Sequence, residues 1–122
     1  MEHLANWIEI PAVDLKRAKE FYGKIFGAKL DDMKIGDTAY AIFGVADSFN
    51  CGALACGAYY KPSQDGVLVY LNGGSDLSTV LNRVENAGGT VLVEKTFLSK
   101  EAGYFGLFLD TEGNRMGLQS IS

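Results

Sequence analysis

The chain has very few of the side chains that most often hold metals or form cross-links. Its 122 residues include one histidine, His3, and two cysteines, Cys51 and Cys56. An iron site of two histidines and one carboxylate cannot be built from one histidine, and two cysteines without a nearby histidine make a poor zinc site. If both cysteines share a strand, they lie on opposite faces roughly 16 Å apart, too far for a disulfide. We therefore expect two reduced thiols.

Long apolar runs and an excess of basic residues are also missing. The apolar runs are far shorter than the roughly 20 residues of a membrane span, so no membrane partner is expected. Eleven basic residues against fifteen acidic ones give a net charge of −4, which argues against binding to nucleic acid. Met1 leads directly to Glu2 and His3 without a basic and apolar leader. The expected location is therefore cytoplasmic.

The most informative stretch begins with a short strand, Trp7 to Ile10. Alternating large and polar residues are typical of a half-buried strand. Side chains on a strand alternate between its faces, so Ile8 and Ile10 share one face while Trp7 and Glu9 share the other. Pro11 cannot extend the ladder and ends the strand. We expect the isoleucine face to cover a helix, which leaves the face of Trp7 and Glu9 for function.

An amphipathic helix follows this strand. Asp14 is a good N-cap, because its carboxylate can accept hydrogen bonds from the free amides of the first turn. Apolar residues then recur at three- and four-residue spacing, which predicts a buried stripe. These residues are Leu15, Ala18, Tyr22, Ile25 and Phe26. Gly27 stands where a left-handed C-terminal cap is expected.

The remaining chain predicts seven further strands and a second helix. The strands are expected over residues 28–33, 38–43, 51–59, 67–71, 90–98, 103–109 and 115–120. The second helix is predicted to begin at Ser75 or Asp76, to bury Leu77, Val80, Leu81 and Val84, and to end at Gly88 and Gly89. Strand 51–59 consists largely of glycine and alanine, which indicates that a ligand or another backbone comes close to it. We expect a cavity there.

The chain contains an internal repeat with an offset of 62 positions. Asp14-Leu15 matches Asp76-Leu77, Gly27 matches Gly89, and Trp7 matches Val69. Each half is predicted as strand, helix and three strands, and a repeat of this length defines the architecture. We predict an α+β fold in which two tandem βαβββ modules, residues 1–60 and 66–122, form a single domain, 1–122. Its curved mixed sheet would carry helices outside and a concave cleft inside.

Two segments resemble a known family over essentially the whole chain. The segment IPAVDLKRAKEFYGKIFG is similar to the strand-to-helix opening of the vicinal oxygen chelate superfamily, and FLDTEGNRMGLQS is similar to its closing turn and strand. This superfamily includes lactoylglutathione lyases, bleomycin resistance proteins and extradiol dioxygenases. The resemblance implies the duplicated fold with its cleft, and pairing of modules across a homodimer. It leaves the activity open, because one fold supports many chemistries.

The resemblance also implies four metal-ligand positions on the concave face. Carried onto this chain, they fall on Trp7, Ala55, Val69 and Gly117, none of which offers an imidazole, carboxylate or thiolate. No metal and no cofactor are therefore expected, and an extradiol dioxygenase is not expected either.

Glu9 is the leading candidate for chemistry on this face. It could act as a general base next to a carbonyl, pair with Arg115, or contact a ligand. By alternation Arg115 shares the concave side with Gly117 and Gln119. Trp7 could stack on a flat ligand or fill the space that a metal would occupy.

The expected ligand-binding set combines these residues with positions on neighbouring strands. Tyr40, Tyr104 and Phe108 either line the cavity or pack under helices, and Tyr70 is expected on the helix side. Asp110, Glu112 and Asn114 are interpreted as turn chemistry. The ligand-binding set is Trp7, Glu9, Ala55, Val69, Tyr104, Arg115, Gly117 and Gln119.

These observations favour a metal-independent homodimer that binds a small, partly apolar molecule in its cleft, as bleomycin resistance proteins do. The alternative is a glyoxalase-like lyase or isomerase that acts on a carbonyl substrate with Glu9 as its base. A third hypothesis is a vestigial cleft in a chain that serves mainly in assembly.

Overall fold

The structure is a computed structural model that describes residues 3–44 and 52–122. Its elements are β1 (Ile8–Pro11), α1 (Leu15–Phe26), β2 (Leu30–Ile35), β3 (Thr38–Phe43), β4 (Gly52–Cys56), β5 (Tyr70–Asn72), α2 (Ser78–Leu81), β6 (Thr90–Ser99), β7 (Gly103–Leu109) and β8 (Arg115–Ser120). The predicted order of strand, helix and three strands, repeated once, is confirmed. The interpretation of Cys51 lies outside the described residues, and Cys56 is a free thiol that donates to the Val13 carbonyl.

The strands form two mixed sheets with the same topology. The first has the order β1-β4-β3-β2 and the second β5-β8-β7-β6. In each sheet the first strand of the half runs parallel to the last, and the other pairs are antiparallel. The curved arrangement expected from the sequence is thus divided between two four-stranded sheets. No helix in the described part of the chain is long and apolar enough to cross a membrane.

Local sequence explains why α1 is the longer helix. Asp14 Oδ1 accepts a hydrogen bond from the Arg17 amide at 3.0 Å, which caps the first turn. Gly27 ends the helix at φ 61°, a left-handed conformation that glycine adopts without steric cost. The helix α2 is a single turn, but the predicted stripe of Leu77, Val80, Leu81 and Val84 is buried.

The two halves share one apolar core. Phe21 and Tyr22 of α1 pack against Phe108 of β7, with ring centroids 5.9 and 6.4 Å apart. The helix-side residues of both sheets, including Leu54 and Leu118, belong to the same buried cluster. Because the helix-bearing faces of both sheets meet in this core, the opposite face of each sheet lies on the outside of the chain. We call these the open faces.

Candidate functional site

The open face of the first sheet carries a cluster of aromatic rings around one carboxylate. Glu9 lies beside Ala53 in the β1–β4 ladder, and Tyr40 lies beside Ala55 in the β3–β4 ladder. The neighbouring strand positions Ile10 and Leu54 are in the core, so alternation places Glu9 and Tyr40 on the open face. Glu9 is exposed, and 41% of the Trp7 surface is accessible. A molecule from solution can therefore reach this cluster.

Both carboxylate oxygens of Glu9 accept a hydrogen bond from an aromatic side chain. Trp7 Nε1 donates to Oε2 at 3.2 Å, and the Tyr60 hydroxyl donates to Oε1 at 2.6 Å. The Tyr40 hydroxyl lies 3.5 Å from that of Tyr60, and the two rings meet edge to face with centroids 6.3 Å apart. We call Trp7, Glu9, Tyr40 and Tyr60 the aromatic cluster.

The hydrogen bonds of this arrangement further stabilise the neutral form of Tyr60. The hydrogen bond to Glu9, and next the one with Tyr40, raise the pKa of the Tyr60 hydroxyl well above its usual range. A phenol is neutral near pH 7 even without this shift, and the Tyr60 hydroxyl serves as a donor to the carboxylate. Tyr60 was not among the predicted site residues, because it follows the predicted strand 51–59 and belongs to no periodic pattern.

The expected ion pair between Glu9 and Arg115 is not formed within the chain. The Arg115 guanidinium donates instead to the Gly66 carbonyl at 3.3 Å, and its Nε is buried without a hydrogen-bond partner. Arg115 pairs with Leu109 in the second sheet. The two sheets contact each other through the core that lies on their helix-bearing faces. The two side chains therefore lie on different open faces.

Tyr70 covers part of the open face of the second sheet, although it was expected on the helix side. Tyr70 pairs with Gly117, and a Cβ added to Gly117 would collide with the Tyr70 ring. That ring also meets Phe105 edge to face at 6.3 Å. Tyr70 is 48% exposed, so its expected position on the helix side is wrong.

A one-residue difference between the halves explains this error. Leu71 pairs with Leu118 and packs against the core, as Ile10 does with Leu54 in the first half. In the first strand of each half the repeat offset is therefore 61 rather than 62. A shift of one residue moves every side chain of a strand to the other face. Val69 consequently packs against the core instead of lying on the open face, which corrects its predicted position.

Tyr104 is also placed differently from the expectation. It pairs with the buried Ser120 and packs against the core cluster, so it lies on the helix side of the second sheet. Lys95 Nζ sits 4.4 Å from the centroid of its ring, and Phe97 packs against its edge. Phe108, the other ring whose position was left open, is fully buried.

The remaining candidates, Ala55, Gly117 and Gln119, lie on the open faces. In the described part of the chain, the cavity that was expected beside the small residues is not present, because other side chains occupy that space. Ala53 and Ala55 are inaccessible to solvent, and the Tyr70 ring covers Gly117. Gln119 follows Gly117 on the same face and donates to the Ala102 carbonyl. Among residues 3–44 and 52–122, no three histidine, cysteine, aspartate or glutamate side chains come together in a group that could hold a metal ion.

An apolar cavity of about 210 Å³ lies on the other side of the first sheet. Ile8 and Phe26 line it from the first half, and Leu71 and Asn72 of β5 line it from the second. It is separate from the aromatic cluster, because Ile8 and Glu9 point to opposite faces of β1.

The turn of residues 110–114 binds the two halves of the chain together. The sequence predicted only that these residues form a turn, not that they contact the first half. Glu112 Oε1 accepts hydrogen bonds from the Val13 and Asp14 amides, both at 2.8 Å. Arg17 Nε donates to Glu112 Oε2 at 2.8 Å, and the Glu112 side chain is fully buried. Burial alone would raise the pKa of the Glu112 carboxyl, but these hydrogen bonds outweigh it and lower that pKa.

Two neighbours of Glu112 make further contacts between the halves. The buried Tyr22 hydroxyl donates to Asp110 Oδ2 at 2.7 Å, and Asn114 Nδ2 donates to the Pro11 carbonyl at 2.7 Å. Burial, followed by the charge and hydrogen bond of Asp110, raises the pKa of Tyr22 well above its usual range. Asp110 Oδ1 meanwhile accepts from the Glu112 and Asn114 amides, as expected of turn chemistry.

Comparison with known proteins identifies the family. A family model described as the Glyoxalase/Bleomycin resistance protein/Dioxygenase superfamily matches residues 4–118. The chain belongs to this superfamily. The family expected from the sequence is thereby confirmed, together with its duplicated fold. No protein of curated function matches this superfamily member in sequence.

Solved structures of other superfamily proteins share the fold. UcmS2 is 24% identical, with a TM-score of 0.71 and complete coverage of both chains. A glyoxalase/bleomycin resistance protein from Albidiferax ferrireducens T118 is 14% identical with a TM-score of 0.68, over 97% of this chain and 98% of that one. A glyoxalase I mutant from Zea mays is 20% identical with a TM-score of 0.67, over 94% of this chain and 45% of that one.

Proposed function

We propose that this chain binds a small, partly apolar molecule on its open face without using a metal, in the manner of the bleomycin resistance branch of the superfamily. The observation that carries this proposal is the accessible aromatic cluster. Trp7, Tyr40 and Tyr60 provide flat apolar surfaces on which a ligand can stack. Ligand sites typically combine such surfaces with a few polar groups, and Glu9 supplies one here.

The donor chemistry supports the metal-independent part of the proposal. Of the positions that the family resemblance assigns to metal ligands, Trp7, Ala55 and Gly117 carry no imidazole, carboxylate or thiolate. Val69 is turned toward the core. Glu9 and Asp31 are carboxylates on this face, but both oxygens of Glu9 already accept hydrogen bonds, and Asp31 stands on β2, three strands away from Glu9.

We further propose that a second copy of the chain completes the cleft. Both open faces lie outside the shared core and carry exposed apolar side chains, among them Trp7, Met33 and Tyr70. The first module of one copy, 1–60, would then face the second module of the other, 66–122. Sedimentation equilibrium should give twice the mass of one chain, and a purely monomeric protein at micromolar concentration would contradict this part of the proposal. A cytoplasmic location stays a prediction from the sequence.

Ligand binding is tested with N-phenyl-1-naphthylamine, a neutral apolar probe whose emission rises in apolar sites. We expect saturable binding to the purified chain, weakened roughly tenfold in Trp7→Ala because a stacking surface is lost. The matched control is Tyr59→Ala, since Tyr59 is an aromatic residue that is 94% exposed outside the cluster. Equal binding by all three proteins, or stoichiometric nickel, zinc, manganese or iron bound to the open face, would contradict the proposal.

The exposed Glu9 carboxylate supports a second candidate, a glyoxalase-like lyase or isomerase. In that case Glu9 would remove a proton from the carbon next to a carbonyl. Deuterium exchange into hydroxyacetone in D₂O, followed by NMR, tests this activity. Exchange that requires the protein and disappears in Glu9→Gln would favour the enzyme, and exchange at the uncatalysed rate would exclude this reaction.

A further inference from the structure

The side chains around Glu9 favour a positively charged ligand group, which is a narrower class than the partly apolar molecules proposed above. A carboxylate lies among three aromatic rings, and two of these rings hold it directly. Aromatic faces attract cations through the ring quadrupole, and groups of such rings recognise quaternary ammonium ions. The negative charge at the centre of the cluster acts in the same direction.

The hydrogen bonds of Glu9 favour an alkylated ammonium over a primary one. Trp7 Nε1 and the Tyr60 hydroxyl each occupy one oxygen of the carboxylate. A carboxylate has about four lone-pair sites, so these two bonds leave about two, fewer than the three N–H groups of a primary ammonium need. A quaternary ammonium carries no N–H group, so it needs only the charge of the carboxylate and the faces of the rings.

No positively charged side chain of the described residues neutralises the Glu9 carboxylate. The Tyr60 hydroxyl donates to the carboxylate and adds no charge of its own to the cluster. The one arginine expected beside Glu9, Arg115, is held at the Gly66 carbonyl on the other sheet. Among the ion pairs of the described residues, none involves Glu9, so its negative charge is available to a ligand.

We propose that the aromatic cluster is a subsite for a quaternary ammonium group carried by a partly apolar molecule. This inference rests on the proposed binding function and narrows its ligand class. Trp7 is the only tryptophan of the chain, so tryptophan emission reports on this subsite alone.

The test compares choline with its uncharged isostere 3,3-dimethylbutan-1-ol by titration of Trp7 emission. We expect choline to bind roughly tenfold more tightly, because only the cation gains from the rings and the carboxylate. Glu9→Gln keeps the size of the side chain and one of its two acceptor oxygens, and removes the charge. It should reduce choline affinity roughly tenfold and leave the alcohol unchanged. The control Glu20→Gln removes an exposed carboxylate from α1 and should change neither affinity.

The outcomes separate this inference from the broader proposal. Equal affinity for choline and the alcohol, or unchanged choline affinity in Glu9→Gln, overturns the ammonium subsite and leaves apolar binding intact. Failure of both compounds to alter Trp7 emission also overturns it, while the neutral naphthylamine probe decides the broader proposal independently. Circular dichroism of Glu9→Gln identifies a loss of folding, and in that case Tyr60→Phe, which retains the ring and the charge, should preserve the choline preference.

Discussion

At the scale of single residues, Glu112 has the largest structural role that the sequence did not indicate. Its buried carboxylate satisfies two backbone amides before α1 and pairs with Arg17 from the other half of the chain. A buried carboxylate is costly unless it is hydrogen-bonded, and here it accepts bonds on both oxygens. Arg17 is about half exposed, so solvent weakens its share of the interaction.

The substitution Glu112→Gln should lower the free energy of unfolding by about 2 to 3 kcal/mol, because one acceptor oxygen is lost and the hydrogen bonds to the other are no longer made to a charged group. Urea denaturation of the purified protein measures this change. Glu101→Gln is the matched control, since Glu101 is an exposed carboxylate in the loop between β6 and β7, and it should shift the free energy by less than about 0.5 kcal/mol. Equal effects of the two substitutions would refute a special role for Glu112.

The Glu112 contribution should also depend on pH. The pKa of Glu112 in the folded chain lies below the ordinary value of 4.5, so the unfolded chain takes up the proton first as the pH falls. The stabilisation is therefore fully present well above pH 4.5 and is lost as the pH falls through the folded-state pKa. In urea titrations between pH 7 and pH 3, the difference between the native protein and Glu112→Gln should shrink toward acid pH. A constant difference across this range would contradict the argument.

At the scale of elements, the two helices differ in how well their ends are satisfied. The longer helix, α1, has a side-chain cap at Asp14 and a left-handed glycine at its end, whereas Leu77, the N-cap residue of α2, makes no capping hydrogen bond with its side chain. Asp76 instead accepts from the Ser78 amide and binds Lys95, and these contacts lower its pKa to about 2. The second helix is consequently held in place mainly by the burial of its apolar residues.

Loss of the α1 cap should be measurable. Asp14→Ala removes the acceptor of the Arg17 amide and should lower the free energy of unfolding by about 1 kcal/mol. Asp14→Ser retains an oxygen that can cap the same turn, so it should recover most of this loss. Thermal unfolding followed by circular dichroism compares the two variants. An equal loss in both would assign the effect to the charge of Asp14 rather than to its capping hydrogen bond.

Elements were predicted better from the sequence than the faces of individual strands. Local signals such as Asp14, Gly27 and the alternation of β1 depend on neighbouring residues, and they predicted the helix and strands of the first half. The position of Tyr70 depends on a one-residue difference in spacing between strand and helix in the two halves. An internal repeat cannot reveal this difference, because the offset that aligns the helices misaligns the strands. The contacts of Tyr60 and Glu112 were not predicted, because their partners lie 51 and 95 to 99 residues away.

At the scale of the whole molecule, the shared core makes the two halves one cooperative unit. Phe108 belongs to the second half, yet its ring packs against Phe21 and Tyr22 of α1. The halves therefore cannot lose their packing independently. Small domains with one continuous core usually unfold in a single transition.

The substitution Phe108→Ala should lower the free energy of unfolding by about 3 to 5 kcal/mol, because it leaves a cavity in the common core. Its effect should appear equally in Trp7 emission, which reports on the first half, and in far-ultraviolet circular dichroism, which reports on both. Phe97→Ala is the control, since Phe97 is 61% exposed, and its effect should be much smaller. Separate transitions by the two methods would contradict a cooperative unit.

Because Glu112 binds the amides before α1, cutting the chain between its two halves should separate groups that depend on each other. A cut within residues 61–65 would give two pieces. One would have amide donors without an acceptor, and in the other the Glu112 carboxylate would keep the Thr111 hydroxyl as a donor but lose the Val13 and Asp14 amides and Arg17. Each piece would therefore fold poorly by itself, and the two together should restore the missing contacts. Such a pair could serve as a split reporter, in which the return of Trp7 emission signals that the pieces have associated.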